Sequence, residues 1–292
     1  MRKLLLFFSL SLVTLAGFSQ NLQRYNWYYG NSTQAIRFNR TSAKPSLVTK
    51  FIPFGQGGSA TASDPANANL MFYTDGQVVY DATNKAMPVG SGLTGATSSN
   101  QPVAICPVPG PANANKYFIF LNTASFPAPG TITARVVDMS LPGNSFFPAP
   151  PLGDLEPAII PTGLANRAEG MTIVPHNNGI DFWLITQQMN SVTLTYTLID
   201  AASYSGTFTN TTSNVTSVPM SAANLAYHEG RKKIAVSAQD SNTDAIIVDF
   251  NNTAGGFTFD RFIFNSGLPT ATPQSIYDIE WSLKGDFLYV SR

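Results

Sequence analysis

One feature constrains this chain more than any other: short apolar or alternating runs rich in Tyr, Phe, Ile and Val recur at nearly even spacing. Each is bounded by Asn, Gly, Asp or Pro. That is the signature of strands joined by tight turns. The clearest runs are Leu70 to Tyr73, Val78 to Tyr80, Lys116 to Leu121, Thr131 to Asp138, Asp181 to Thr186 and Val192 to Asp200, then Lys233 to Ala238, Ala245 to Phe250, Phe257 to Phe264 and Phe287 to Ser291. With the strongest strand of each block as a marker, Phe72, Phe118, Trp183, Ala235 and Leu288 lie 46, 65, 52 and 53 residues apart. Blades of four strands repeat at roughly 40 to 50 residues. The fold class expected is therefore all-β, a β-propeller of four-stranded blades. No run after residue 20 sustains a helical period beyond two turns.

The long interval is assigned to a Pro-rich insertion at about 126–161, which includes Pro148-Ala149-Pro150-Pro151 and is expected to form a surface loop of polyproline character. Two blocks that follow it align. Glu169 to Ile185 and Ala223 to Val236 each read as strand, turn carrying His and Gly, and second strand, and each leads to a third strand ending in Asp200 or Asp249. The block from Tyr277 to Ser291 repeats the opening half of that unit and stops. At about 50 residues per blade the chain is too short for a seven-bladed ring, so the expectation is an incomplete, truncated ring, with a closed smaller propeller as the alternative.

Met1-Arg2-Lys3, the apolar run Leu4 to Leu15 and Ala16-Gly17-Phe18-Ser19-Gln20 read as a secretory signal peptide over 1–20. The run is shorter than the roughly 20 residues a bilayer span needs, so 21–292 is expected as one exported propeller-like domain with no membrane span. Without Arg2 and Lys3, 15 basic residues face 17 acidic ones. A net charge of about −2 offers no footprint for nucleic acid or an anionic membrane surface. Cys106 is the only cysteine, so no internal disulfide can form. In Val103-Ala104-Ile105-Cys106-Pro107 it reads as a small buried hydrophobe on a strand.

Further pieces carry a resemblance. They are Trp27-Tyr28-Tyr29-Gly30, Phe72-Tyr73-Thr74-Asp75-Gly76 with Val78-Val79-Tyr80-Asp81, Ser99-Asn100-Gln101-Pro102 leading to Pro107-Val108-Pro109-Gly110, and Tyr117-Phe118-Ile119-Phe120. Together with the blocks around Glu169, Trp183 and Leu288, they resemble the propeller-like N-terminal regions of surface proteins exported by the type IX secretion system, the gliding-motility-associated or type B sorting-domain proteins. The resemblance implies export to the outer cell surface and supplies no catalytic motif. The C-terminal sorting domain of that group has no counterpart in this sequence.

Candidate chemistry is sparse. His176 and His228 occupy the same turn of adjacent repeats and are weak metal candidates, because a site needs three or four converging ligands; turn-capping polar residues are the competing reading. Asp240, Asn242 and Asp244 alternate like calcium ligands, but the sixth-position glycine and distal glutamate of an EF-hand are missing, so calcium is a minor option beside a tight hairpin turn. Gly55-Gln56-Gly57-Gly58 lacks the Lys-Ser/Thr of a phosphate loop, and no Gly-x-Ser-x-Gly is present. Asp64, Asp75, Glu156, Glu169 and Glu280 are scattered; Glu169 and Glu280 head repeat strands, which favours a role in the blade. Trp27, Tyr28 and Tyr29 suit either sugar stacking or inter-blade packing. Two functions follow as expectations: a non-catalytic secreted or cell-surface module contacting a glycan, a protein or matrix, or a propeller enzyme, a hydrolase or lyase with carboxylates or a metal at the central channel. A bare scaffold holding an adhesive domain off the cell is the weaker third.

Overall fold

The computed structural model describes residues 25–38, 44–50, 57–217, 219–238, 245–263 and 276–291. The expected signal peptide and the calcium-like turn at Asp240, Asn242 and Asp244 lie outside them. Among the described residues the regular elements are β-strands and short 3-10 turns, with no α-helix. Six antiparallel units follow one another. The first is β1 (Asn26–Trp27), β2 (Gln34–Phe38) and β3 (Pro45–Thr49); the second is β4 (Ala60–Ser63), β5 (Leu70–Thr74), β6 (Val78–Asp81) and β7 (Ala86–Ser91). The third is β8 (Val103–Pro107), β9 (Lys116–Asn122), β10 (Gly130–Asp138) and, beyond the short β11 (Asp154–Leu155), the first half of β12 (Ile160–Pro175). The second half of β12 opens the fourth unit, with β13 (Phe182–Gln188), β14 (Thr193–Ile199) and β15 (Thr209–Asn214). The fifth is β16 (Ala222–His228), β17 (Lys233–Ala238), β18 (Ala245–Phe250) and β19 (Phe257–Ile263), and β20 (Asp278–Trp281) pairs with β21 (Leu288–Ser291) in the sixth.

Each unit is a meander in sequence order. Phe72, Phe118, Trp183, Ala235 and Leu288 all fall on second strands, opposite Ala62, Cys106, Val174, Ala226 and Trp281 of the first strands. The first strands pack side by side in chain order, β1 against β4, β4 against β8, β8 against β12, β12 against β16 and β16 against β20. Apolar burial follows the same succession. One cluster joins units one and two through Tyr28, Tyr73 and Tyr80, and the next joins two and three through Phe72, Val79, Tyr117 and Ile119. Phe118, Ile132 and Leu184 join three and four, Trp183, Leu225 and Val248 join four and five, and Ala235 and Ile279 join five and six. Side chains alternate faces along a strand, so Phe118 and Phe120 face the fourth unit while Tyr117, Ile119 and Leu121 face the second. That is why Tyr117 to Leu121 is apolar throughout: both faces of β9 are buried.

The stretch from 126 to 161 is not one loop. Gly130–Asp138 within it is β10, with Ile132, Ala134, Val136 and Val137 buried. The excursion is shorter, between β10 and β12, and it returns to lay β11 on the end of β10. Asn144 fastens it to the second unit by donating to Asp81 Oδ2 and Ala86 O, both at 2.8 Å.

Passage from one unit to the next uses a buried polar residue at the end of the second strand. In β12 the register shifts between Arg167 and Met171, where the chain crosses the ends of β9 and β8. Asn122 Nδ2 donates to Ala168 O at 2.8 Å and to Glu169 O at 3.2 Å. Gln187 accepts the N–H of Ala222 at the next crossing, and Ser237 donates to Tyr277 O at the one after. Asn122, Gln187 and Ser237 are all fully buried, as crossing backbone taken out of water requires partners.

At the other end, third strands close in side chains that cap the following turn. Asp81 accepts from Thr83 N and Lys85 N, Asp138 from Ser140 N, and Asp200 from Ala202 N and Ser203 N. In the fifth unit Asn251 takes this role, accepting from Thr253 N and Ala254 N, while Asp249 pairs with Lys233 at 2.7 Å. Asp200 and Asp249 thus hold the same register position, past the partners Leu198 and Ile247 of Trp183 and Ala235, but only Asp200 caps the turn. Asp138 also pairs with Lys116 at 2.6 Å, and Lys116 bonds Glu156, which accepts from the Tyr204 hydroxyl. Desolvation pulls the Lys116 pKa down, but hydrogen bonds to Asp138, Glu156 and Tyr204 outweigh it and leave it above the ordinary lysine value. Asp138 lies below the ordinary carboxylate range, because bonds from Lys116 and Ser140 exceed its own desolvation.

Candidate functional site: the channel between the first strands

The first strands line a cavity of about 900 Å³. Ile105, Cys106 and Pro107 of β8, Thr172, Ile173 and Pro175 of β12, and Leu225, Ala226 and Tyr227 of β16 form its wall. Aromatic side chains from distant parts of the chain gather at it: Trp27, Phe182, Tyr227, Trp281 and Tyr289. Glu229 and Glu280, both exposed, line the same space, with Gln101 as a further polar group.

Local structure fixes several of these groups. Trp281 donates its indole N–H to Ala226 O at 3.0 Å, and its ring meets His228 edge to face at 5.9 Å. Trp27 rests edge-on against Phe38 at 4.9 Å and remains 48% exposed, with Tyr289 63% exposed, so both offer ring surface. The Tyr227 hydroxyl is buried with no hydrogen-bond partner among the described residues. Burial, and then the charge of Glu229, push its pKa up to about 12, so at neutral pH it carries its proton. Burial likewise pushes the Cys106 thiol well above its ordinary value, which suits a buried hydrophobe and not a nucleophile.

Ser99-Asn100-Gln101-Pro102 lies at the entry to β8. Gln101 Oε1 accepts from Met171 N and from Leu225 N, each at 2.9 Å, and its Nε2 donates to Leu225 O at 3.3 Å, so one side chain ties three units. Glu169 is buried beside it; Oε2 accepts from Asn100 N and Oε1 from Phe126 N, both at 2.8 Å. The structural role expected of Glu169 fits this geometry. Glu280 differs, being exposed and at the cavity.

The remaining sequence candidates disperse. His176 Nδ1 accepts from Asn178 N at 3.0 Å, and its ring stacks on Trp183 at 5.4 Å. His228 Nδ1 accepts from Arg231 N at 3.0 Å, so Nε2 carries the proton and donates to Leu283 O at 3.1 Å. The two histidines share no partner. Among the described residues no three or more His, Cys, Asp or Glu side chains group closely enough to hold a metal ion. Asp64 and Asp75 cap turns, through Ala66 N and Gln77 N. Gly57 and Gly58 donate their N–H groups to Thr97 O and Ser99 O; a Cβ at Gly58 would stand 2.0 Å from Asn100 O. Their freedom therefore serves backbone packing under the Gln101 loop. Tyr28 is buried on Tyr73, whereas Tyr29 is exposed. Glu229 and Tyr289 escaped sequence reasoning; the only cue was that Glu229 follows the His of a repeated turn.

No protein-family model matches this chain, and no curated protein does. Among solved structures it is similar to hydrazine synthase of Kuenenia stuttgartiensis at 14% identity, with a TM-score of 0.47 over 88% of this chain and 67% of that one. It is also similar to a chain in the crystal structure of a mitotic checkpoint complex at 10% identity, with a TM-score of 0.40 over 92% of this chain and 84% of that one. Neither likeness bears on activity. No helix among the described residues is long and apolar enough to cross a membrane.

Proposed function

We propose that this chain is a propeller-type binding module without catalytic activity, exported to the bacterial surface, which takes a glycan at the mouth of its channel. The observation that carries the reading is the meeting of Trp27, Tyr227, Trp281 and Tyr289 with Gln101, Glu229 and Glu280 around one cavity. Sugar rings offer apolar faces for aromatic side chains and hydroxyls for carboxylate and amide groups, and a pocket mixing the two suits them. Consecutive four-stranded meanders with neighbouring first strands support the propeller reading, and a seven-bladed ring of which these units are part remains within the proposal. Export through the inner membrane rests on the signal-peptide pattern, and the type IX route on the resemblance given above; protease treatment of intact cells should digest the protein if it is displayed outside.

Binding is tested by titrating neutral oligosaccharides of several linkages against the full chain, with Trp27→Ala beside the wild type. A weaker complex for the variant is expected, and no binding of any oligosaccharide sinks the glycan reading.

A second reading has one specific observation behind it. Glu229 and Glu280 share one cavity, and paired carboxylates are the machinery of glycoside hydrolysis. Release of reducing ends from the bound oligosaccharide, abolished by Glu229→Gln or Glu280→Gln, would favour a hydrolase.

A further inference from the structure

Away from the channel, between the third and fourth units, hydrogen-bond donors gather without an acceptor to match them. Arg167 is 8% exposed and sits where β12 leaves its pairing with β10 for β13, opposite Gly130 on one side and Gln188 on the other. Its Nε donates to Ala165 O at 3.0 Å and its Nη1 to Thr195 Oγ1 at 2.6 Å. Both acceptors are neutral, and no carboxylate among the described residues pairs with this guanidinium. With five N–H donors and a charge it cannot shed, Arg167 has more to give than these two bonds use. Burial alone acts on its pKa, lowering it, with no carboxylate to offset the cost.

Thr186 of β13 stands directly opposite Thr195 of β14, so their hydroxyls share one face of the fourth unit. It is the face on which Leu184, two residues earlier, meets the third unit. Both threonines are fully buried. The Thr186 hydroxyl has no hydrogen-bond partner among the described residues, and that of Thr195 accepts from Arg167 and donates to none of them. A buried charge persists only with a compensating partner, and two O–H groups beside a guanidinium call for an acceptor. The geometry points to a binding site for one small inorganic anion, chloride, held by the Arg167 guanidinium and the Thr186 and Thr195 hydroxyls. Burial of all three side chains restricts the occupant to a single ion and keeps larger organic acids out. None of the three lines the channel, so the site is independent of the glycan reading. The ion neutralises Arg167 at the crossing of β12 and ties the third unit to the fourth.

The test is thermal denaturation of the full chain in sodium chloride and in sodium gluconate at equal ionic strength, gluconate being too large for an enclosed site. Chloride should raise the unfolding midpoint by roughly 2 to 4 °C over gluconate, and the midpoint should climb with chloride concentration as a bound ligand requires. Arg167→Met removes the charge and should abolish the difference between the two salts, whereas a general salt effect would persist in it. Thr186→Val keeps the shape of the side chain and removes one donor, so it serves if Arg167→Met does not fold; its chloride titration should move to several-fold higher concentration. Equal midpoints for the wild type in the two salts would mean that water serves these donors, and the inference would be overturned. A chloride effect that survives Arg167→Met, or a titration unmoved by Thr186→Val, overturns it as well. Each of these failures leaves the glycan reading where it stood.

Discussion

Gln101 and Leu225 are joined by two hydrogen bonds, Leu225 N to Gln101 Oε1 at 2.9 Å and Gln101 Nε2 to Leu225 O at 3.3 Å, across 124 residues of chain. A sheet pairs its own neighbours; this side chain instead reaches from the start of the third unit over the fourth to the fifth. Such a contact exists only if the first strands of successive units converge on one axis. Gln101 and Glu169 are therefore the polar hub at one end of the channel, and the aromatic and carboxylate groups occupy its mouth.

Glu169→Gln should destabilise the protein by about 1 to 3 kcal/mol. Each carboxylate oxygen accepts one backbone N–H, from Asn100 and Phe126, and an amide would turn a donor toward one of them. Urea denaturation of the two proteins measures the difference; an unchanged midpoint would show that the hub carries no weight.

The acid limb of stability should depend on Asp138. Its folded pKa lies below the unfolded value, so its contribution is present above about pH 4 and is lost as pH falls through the folded value. Lys116 has the opposite sign: its raised folded pKa gives a contribution present below about pH 10.4 and lost as pH rises through the folded value. Asp138→Asn should accordingly cost about 1 to 3 kcal/mol at pH 7, and wild type and variant should converge as pH drops below 4. Thermal denaturation across pH reads this, and a gap that widens in acid would contradict the pairing.

Phe118→Ala should cost about 3 to 5 kcal/mol, because the ring is fully buried between the third and fourth units against Phe120 and Phe208. Leu283→Ala, at an 85% exposed turn position, should change stability by less than about 0.5 kcal/mol. Comparable losses at the two sites by chemical denaturation would argue against the buried interface.

The meander was legible because it is local. Runs such as Lys116 to Leu121 bury both faces of a strand, and that requirement writes an apolar signal which spacing then orders into units. β12 was harder to see, since one 16-residue strand serves two units. Asp249 shares the register position of Asp200, yet the cap of the fifth unit's turn falls to Asn251, a change of role that composition alone does not register. The channel mouth was hidden for a different reason: Trp27, Glu229, Glu280 and Tyr289 come from opposite ends of the chain and meet only through the order of the sheets. Ser99-Asn100-Gln101-Pro102 was visible as a motif, yet its purpose needed the positions of Met171 and Leu225.

Gly58→Ala tests the packing beneath that motif. The added Cβ would collide with Asn100 O, so the 97–100 segment must shift, and a loss of about 1 to 3 kcal/mol is expected with no effect on affinity for inorganic phosphate. Phosphate protection of the wild type against denaturation, absent in the variant, would instead revive an anion-binding loop.

Convergence of the units on one axis is tested most directly by amide hydrogen exchange at Met171 and Leu225 in the wild type and in Gln101→Met, which keeps the bulk of the side chain and removes its acceptor. Faster exchange at both amides, with Ile119 in β9 unchanged, is the result this account requires. Unaltered protection at both would mean that Gln101 does not reach the fourth and fifth units, and the arrangement of sheets around a shared channel would be wrong.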